Sequence, residues 1–350
     1  MDPFLTRTVG KTSFEVTQLG MGGASLGDAR ESIPEPQAEA ALDAAHAAGI
    51  GYFDTSPWYG NGKSELRFGR VLRTKPRSSF VISTKVGRLY SRPAEPDTYV
   101  HPRWVGGLPF EPRFDYTHDA VLRSYETSLA RLGLNRVDAL LIHDLDPRHQ
   151  QSEEGVRRGL EQLDSGRGFR ALADLKARGE IKAIGAGVNH LGMIPRFLER
   201  CEIDFFLVAM PYTLMEQEAL DGELQLCAER GISIVIGAPF ASGILARGPV
   251  PGALYRYNPA EPDVIAKAQR IAAVCARHDV PLGAAALQFP FGHPSIVSVI
   301  PGPIATEEVR KNLAWMRMAI PDALWAELKA EGLIRQDTPT PRLADGGSLR

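Results

Sequence analysis

The chain repeats one pattern eight times. A short apolar, β-prone run ends in Gly, Asp, Lys or His, or in a turn, and a longer segment with apolar residues three and four positions apart follows it. The predicted strands are Val16–Gly20, Gly51–Phe53, Phe80–Thr84, Val137–Ile142, Ile181–Gly185, Asp204–Val208, Ile232–Ile236 and Ser295–Ile300. The predicted helices are Gln37–Ala48, Ser64–Leu72, Asp119–Leu132, Phe169–Arg178, Met193–Arg200, one ending at Arg230, Pro262–His278 and Thr306–Met318. Strands this short and this apolar suit a parallel sheet buried on both faces. Eight such units predict a (β/α)8 TIM barrel, an α/β fold built as a single domain over residues 1–335. A long Pro- and aromatic-rich loop, Leu89 to Tyr116, follows the third strand. An extra helix, Ala323–Glu331, precedes a Pro/Gly-rich tail at 336–350. An open doubly wound sheet is the competing fold. Its GxGxxG turn is missing, and Gly20-Met21-Gly22-Gly23 is the nearest approach to one.

Composition narrows the function. Apolar residues are 44% of 350, enough for a large core, and the net charge is −2. Such a balance offers no basic face for nucleic acid and no polybasic patch for a membrane surface. No apolar run is long enough to span a bilayer, and the N-terminus does not read as a signal peptide. Cys201, Cys227 and Cys275 are far apart and odd in number, which predicts reduced thiols in a cytoplasmic protein rather than a disulfide framework or zinc site. No His/carboxylate spacing predicts a metal.

In a barrel, chemistry gathers where strands end at the C-terminal face. Reading those ends in order gives Gly22 and Gly23, then Asp54, Lys85, His143 and Asp144, then Asn189, Met210, the Gly237–Gly243 loop, and Gly302. Asp54, Lys85 and His143 therefore face one mouth, and Tyr59 lies on the loop leaving the second strand. These residue types form a general acid/base for carbinol–carbonyl chemistry. A tyrosine ordinarily ionises near ~10, and a neighbouring ammonium lowers that value. Lys85 supplies the ammonium, Asp54 pairs with it, and His143 either donates a hydrogen bond to a substrate oxygen or helps relay the proton. Each residue also has a plainer reading, as a helix cap, a surface lysine, a structural histidine or a rim aromatic.

The segments Phe53-Asp54-Thr55-Ser56-Pro57-Trp58-Tyr59-Gly60, Ser83-Thr84-Lys85-Val86-Gly87 and Asp138-Ala139-Leu140-Leu141-Ile142-His143-Asp144 resemble the tetrad regions of the aldo-keto reductases. The resemblance covers roughly residues 5 to 320. It implies an NAD(P)-dependent oxidoreductase that binds an extended cofactor at the barrel mouth. It implies Tyr59 as acid/base, Lys85 and Asp54 as its tuning pair, and His143 as substrate orienter. It assigns cofactor contacts to Gly22, Gly23, Ala24, Asp54, Asn189, Met210, Gly237, Pro239, Phe240, Ser242, Gly243, Gly302, Glu308 and Asn312. Val188, Met210 and Gly237 depart from the family's usual nicotinamide-binding residues. Gly302 and Glu308 stand where NADP-preferring relatives carry cations, which implies NAD as the preferred cofactor with NADP possible, although Arg310 and Lys311 lie close by.

Further stretches, among them Pro112-Arg113-Phe114-Asp115-Tyr116 and Pro211-Tyr212-Thr213-Leu214, are similar to bacterial D-threo-aldose (L-fucose) 1-dehydrogenases and pyridoxal 4-dehydrogenases. That similarity implies oxidation of an aldose at C1 to the lactone. Oxidation of pyridoxal and general aldehyde or ketone reduction are the alternatives. A cofactor-binding sensor or accessory subunit is the reading from another class. Trp58, Tyr59, His143, Trp104 and Phe114 are the expected substrate contacts, and the partner is a small sugar, aldehyde or alcohol. The oligomeric state is left open.

Overall fold

The computed structural model describes residues 1–29 and 31–342. Its barrel strands are Met21–Gly22, Tyr52–Asp54, Val81–Val86, Ala139–His143, Ala183–Val188, Phe205–Ala209, Ser233–Gly237 and Ile296–Ile300. They are parallel and lie in chain order, and a bridge from Leu19 to Val299 joins the last to the first. The fold is a (β/α)8 barrel in a single domain. The register sets the mouth: Asp54 pairs with Ser83, Lys85 with Leu141, and His143 with Gly187, so three successive strands end at one level.

The apolar residues divide into two sets. Tyr52, Leu141, Phe205 and Val235 fill the barrel interior, while Phe53, Leu140, Phe206 and Ile234 face the surrounding helices. Alternation along each strand sends successive side chains to opposite faces, and both faces are buried. The helices that follow the strands include Glu35–Ala47, Lys63–Leu72, His118–Leu132, Gly168–Ala177, Pro262–Arg277 and Thr306–Arg317.

The first barrel strand departs from the sequence expectation. Glu15–Thr17 pairs antiparallel with Thr6–Thr8 in a hairpin across the barrel floor, where Phe14 meets Tyr52 and Phe205 at 5.9 Å between ring centroids. The barrel strand itself is the short Met21–Gly22. Periodicity cannot separate the two, because both runs are apolar and neighbours in sequence. The seam explains the choice. A Cβ on Gly22 would stand 2.9 Å from the Ile300 carbonyl oxygen, so only glycine lets the first and last strands close here.

Four α-helices among the described residues were not foreseen, the single turn Pro147–Gln150 among them. Glu153–Asp164 buries Val156, Leu160 and Leu163 and is capped by Ser152, whose hydroxyl accepts from the Gly155 N–H at 3.0 Å. Its charged residues hid that stripe. Leu282–Gln288 is Ala/Gly-rich and buried from Gly283 to Gln288, so it has no polar face to reveal a period. Ile244–Arg247 is a single turn. The Leu89–Tyr116 stretch is also partly regular: Arg88–Ser91 pairs antiparallel with Glu111–Phe114. Of the tail expected at 336–350, residues 343–350 lie outside the described part, and Thr338 is buried. Among the described residues, no helix is long and apolar enough to cross a membrane.

A buried ionic tie holds the loop after the first barrel strand. Arg67, on the helix Lys63–Leu72, donates to Asp28 Oδ1 at 2.6 Å, to the Leu26 carbonyl at 2.7 Å and to the Ile33 carbonyl at 2.6 Å. Asp28 also accepts from Lys63 Nζ at 2.6 Å. Removing Arg67 leaves the buried Asp28 with Lys63 as its one ion-pair partner and takes the guanidinium donors from the Leu26 and Ile33 carbonyls. Arg67→Met is therefore expected to lower stability by about 3 kcal/mol. Urea unfolding followed by circular dichroism measures this, and an unchanged midpoint would refute the role given to Arg67.

Candidate active site

The second and third barrel strands bring Asp54 and Lys85 together at the mouth. Both are almost wholly buried, and Lys85 Nζ donates to Asp54 Oδ2 at 2.6 Å and to the Thr55 carbonyl at 2.8 Å. The other carboxylate oxygen accepts from the Ser83 hydroxyl at 2.7 Å. Burial pushes the Asp54 carboxyl above its ordinary value, and the Lys85 charge opposes that shift.

Tyr59 folds back over this pair. Its ring centroid is 4.9 Å from Lys85 Nζ, and its edge meets the His143 ring at 5.7 Å between centroids. Asp54, Tyr59, Lys85 and His143 thus form one cluster, contributed by three adjacent strands. The expectation that Lys85 lowers the Tyr59 phenol is corrected. Burial raises it well above 10.0, and the negative charges of Asp54 and Asp144 add to the rise. The ammonium is already committed to Asp54, so the pair presents little net positive charge to the ring. His143 is also buried, and burial drives it well below its ordinary value, so the imidazole is neutral.

A cavity of about 740 Å³ opens beside Asp54 and Tyr59 and runs across the barrel mouth to the helix Thr306–Arg317. Gly22, Gly23, Ala24, Gly237, Pro239, Phe240, Ser242, Gly243, Gly302, Glu308 and Asn312 all line it. The size is that of a ligand pocket. At the far end, Glu308 accepts from the Ile304 N–H at 2.8 Å, and Lys311 Nζ lies 4.6 Å from the Trp315 ring centroid. Arg310 points elsewhere, toward Glu307. A Cβ on Gly237 would stand 2.7 Å from Leu207 Cδ2, so that side chain occupies the space beside the glycine.

Two of the expected cofactor contacts are placed differently. Met210 takes a left-handed backbone with φ 83 and is buried away from the cavity, while Leu207 and Ala209 line it instead. The strand alternation that aims those two inward ends before Met210. Asn189 is also off the cavity wall, but its side-chain oxygen is buried with no hydrogen-bond partner among the described residues. The glycines along the cavity let an extended dinucleotide approach the backbone closely, while the orphaned Asn189 oxygen lies outside that wall.

Among the expected substrate contacts, Trp104 lines the cavity and meets Tyr59 at 6.2 Å. Trp58 stands behind it at 5.4 Å. Phe114 does not reach the cavity. Its ring covers the Arg88 guanidinium at 4.3 Å and stacks on Tyr116. The antiparallel pairing of Glu111–Phe114 with Arg88–Ser91 turns it there, a pairing not legible in the aromatic composition of the loop. Sequence reasoning also passed over Tyr257, Arg103 and Arg247, which line the cavity from two loops and the end of the helix Ile244–Arg247, with no strand-end position to mark them. Asp144, Asp146 and His149 come together as possible metal ligands, but Asp144 already pairs with Arg88 at 2.6 Å and Asp146 caps the turn that carries His149.

Comparison with known proteins agrees with this architecture. A model of the aldo/keto reductase family matches residues 18–331. The pyridoxal 4-dehydrogenase of Microbacterium luteolum is 38% identical over 341 residues, covering 94% of this chain and 97% of the relative. The D-threo-aldose 1-dehydrogenase of a Pseudomonas species is 38% identical over 332 residues, covering 93% and 96%. Among solved structures, an aldo-keto reductase of Bacillus halodurans in its holo form superposes with a TM-score of 0.73 at 21% identity, covering 95% of this chain and 97% of that one.

The raised phenol makes a direct prediction. A spectrophotometric difference titration of the cofactor-free protein against Tyr59→Phe is expected to show no tyrosinate from Tyr59 at pH 10, the ordinary value. A folded value above the unfolded one means that the neutral phenol's contribution to stability is complete below that pH. It is lost as pH climbs through the folded value. A Tyr59 signal at or below pH 10 would contradict the burial argument.

Proposed function

The chain belongs to the aldo/keto reductase family of oxidoreductases, and on that premise we propose that it oxidises the C1 hydroxyl of a cyclic aldose hemiacetal to the lactone with NAD+. The observation that carries this reading is the Asp54–Lys85–Tyr59–His143 cluster, whose Asp54 and Tyr59 line a glycine-rich cavity of about 740 Å³. The bound dinucleotide supplies the hydride-accepting carbon. Tyr59 in its phenolate form takes the hydroxyl proton and becomes the neutral phenol, over Lys85, which Asp54 holds 4.9 Å from its ring centroid. His143 donates to the same oxygen. Trp104 offers an aromatic wall for the C–H face of a sugar ring.

Two sources support the substrate class. The relatives at 38% identity carry names of dehydrogenases, one for D-threo-aldoses and one for pyridoxal. Both kinds of compound can close to a cyclic hemiacetal, because each carries a hydroxyl within reach of its aldehyde. One observation favours the opposite direction. A phenol held protonated by burial suits donation to a carbonyl oxygen, so aldehyde reduction is the second reading. The free cysteines Cys201, Cys227 and Cys275 support a cytoplasmic setting.

For the cofactor, Glu308 is the discriminating residue. Its carboxylate is held at the cavity end and suits a ribose 2′-hydroxyl, whereas it repels a 2′-phosphate. The expected outcome is a higher kcat/KM with NAD+ than with NADP+, and Glu308→Gln narrows that ratio roughly fivefold. A clear NADP+ preference in the unaltered enzyme would overturn the assignment.

The reaction itself is tested by following NADH with D-threo-aldoses, L-fucose, pyridoxal and simple alcohols. Oxidation is expected with at least one cyclic hemiacetal. Its kcat/KM rises about tenfold per pH unit below the phenol's value, because the base form grows with pH. Tyr59→Phe is expected to cut kcat about a thousandfold while NAD+ binding is retained. Tight cofactor binding without turnover on any substrate would point to a sensor, and activity only with NADH and aldehydes would point to a reductase.

A further inference from the structure

We propose that Ser56 and the Arg88–Asp144 ion pair are positioning residues that hold His143 as a neutral imidazole with its hydrogen on Nε2, aimed at the reacting oxygen. This rests on the role given to His143 above and extends it to residues outside the four-residue cluster.

The hydrogen can be placed by elimination. Asp144 Oδ1 stands 3.5 Å from His143 Nε2. Burial opposes ionisation of Asp144, but the Arg88 guanidinium that donates to it at 2.6 Å outweighs that and holds the carboxyl below its ordinary range. A carboxylate only accepts hydrogen bonds. The nitrogen that faces it is therefore the one that carries hydrogen. At 3.5 Å the contact is too long for a good hydrogen bond. It orients the N–H without consuming it, and a closer oxygen can take it.

The other nitrogen must then accept. Ser56 Oγ lies 3.1 Å from His143 Nδ1. The same oxygen accepts the Trp58 N–H at 3.0 Å and keeps its own hydrogen, which it donates to Nδ1 when Nε2 is the protonated nitrogen. Both neighbours of the ring are thus satisfied by one tautomer. The ring's backbone is fixed as well, because the Tyr116 hydroxyl donates to the His143 carbonyl at 2.8 Å.

Arg88 makes this arrangement compatible with a neutral ring. Its guanidinium donates to Asp144 Oδ2 at 2.6 Å and is clamped between Trp58 at 4.1 Å and Phe114 at 4.3 Å. Its side chain is only 5% exposed, so it acts through its neighbours rather than on substrate. An unpaired carboxylate beside Nε2 would draw a second proton onto the ring. Arg88 cancels that pull. The groups that bear on His143 are Asp144, Lys85, Arg88 and His149, with Ser56 on the opposite nitrogen. Asp144 itself sits at φ 55, a left-handed backbone that non-glycine residues rarely adopt. The fold holds it there against a local preference.

The test needs no substrate. Long-range proton–nitrogen correlation spectra of histidine-labelled protein report tautomer and charge, with His143→Gln assigning the signals. The expected result is a neutral His143 with hydrogen on Nε2 at neutral pH. Ser56→Ala is expected to give a mixture of tautomers, and where turnover is measurable it lowers kcat about fivefold with NAD+ affinity unchanged. Ser56→Thr restores one tautomer. Arg88→Met is expected to raise the His143 titration by about one pH unit and add an acid limb to the pH–rate profile. If Arg88→Met does not fold, the Ser56 pair and the unaltered protein decide. Hydrogen on Nδ1 in the unaltered protein, a Ser56→Ala variant with an unshifted tautomer, or a folded Arg88→Met with unchanged titration each overturns the proposal. Absence of aldose turnover with the expected spectra would count against the proposed reaction and leave this assignment standing.

Discussion

The ion pair between Lys85 and Asp54 is the constraint on which the barrel mouth is built. Two opposite charges with almost no exposure are tolerable only when each satisfies the other and the remaining lone pairs find donors. Ser83 and the Thr55 carbonyl complete that requirement, and the Tyr52 hydroxyl extends the network at 3.0 Å from Ser83. The register of the second and third strands is thereby tied to chemistry. A slip of one residue would send Lys85 to the helix face and strand Asp54 alone in the barrel.

The pair also explains the state of Tyr59. Because the lysine's charge is spent on the aspartate, burial governs the phenol, and it stays protonated. The second ion pair, Arg88 with Asp144, also bears on the same tyrosine. The Asp144 charge adds to the rise of the phenol and the Arg88 charge opposes it. The site is therefore a phenol and an imidazole, both neutral, beside two compensated salt bridges.

Most of the architecture was legible because a parallel barrel writes its period into the chain. Asp54, Lys85 and His143 announced themselves as charged or polar residues closing apolar runs. The errors have physical sources. Val16–Gly20 and Met21–Gly22 are alike in pattern, and only the close approach of Ile300 decides between them. Glu153–Asp164 carries its apolar stripe among charged residues, and Leu282–Gln288 has no polar face. The phenol's direction depended on which partner the lysine had already taken, which residue types alone do not say. Phe114 and Met210 were misplaced because a hairpin turn and a left-handed φ redirect them, and neither is written in hydropathy.

The hairpin of Arg88–Ser91 with Glu111–Phe114 pairs with itself and adds no strand to the barrel's ladder. It is joined to the third strand through Gly87, whose φ of 112 turns the chain out of the sheet. Most of the loop between its arms lies outside the buried core. Mutations there cost the barrel little, while the strand-end residues are bound by register and buried charge. The cover over the cavity, which carries Arg103 and Trp104, is thus free to change in sequence where the strand ends beneath it are not.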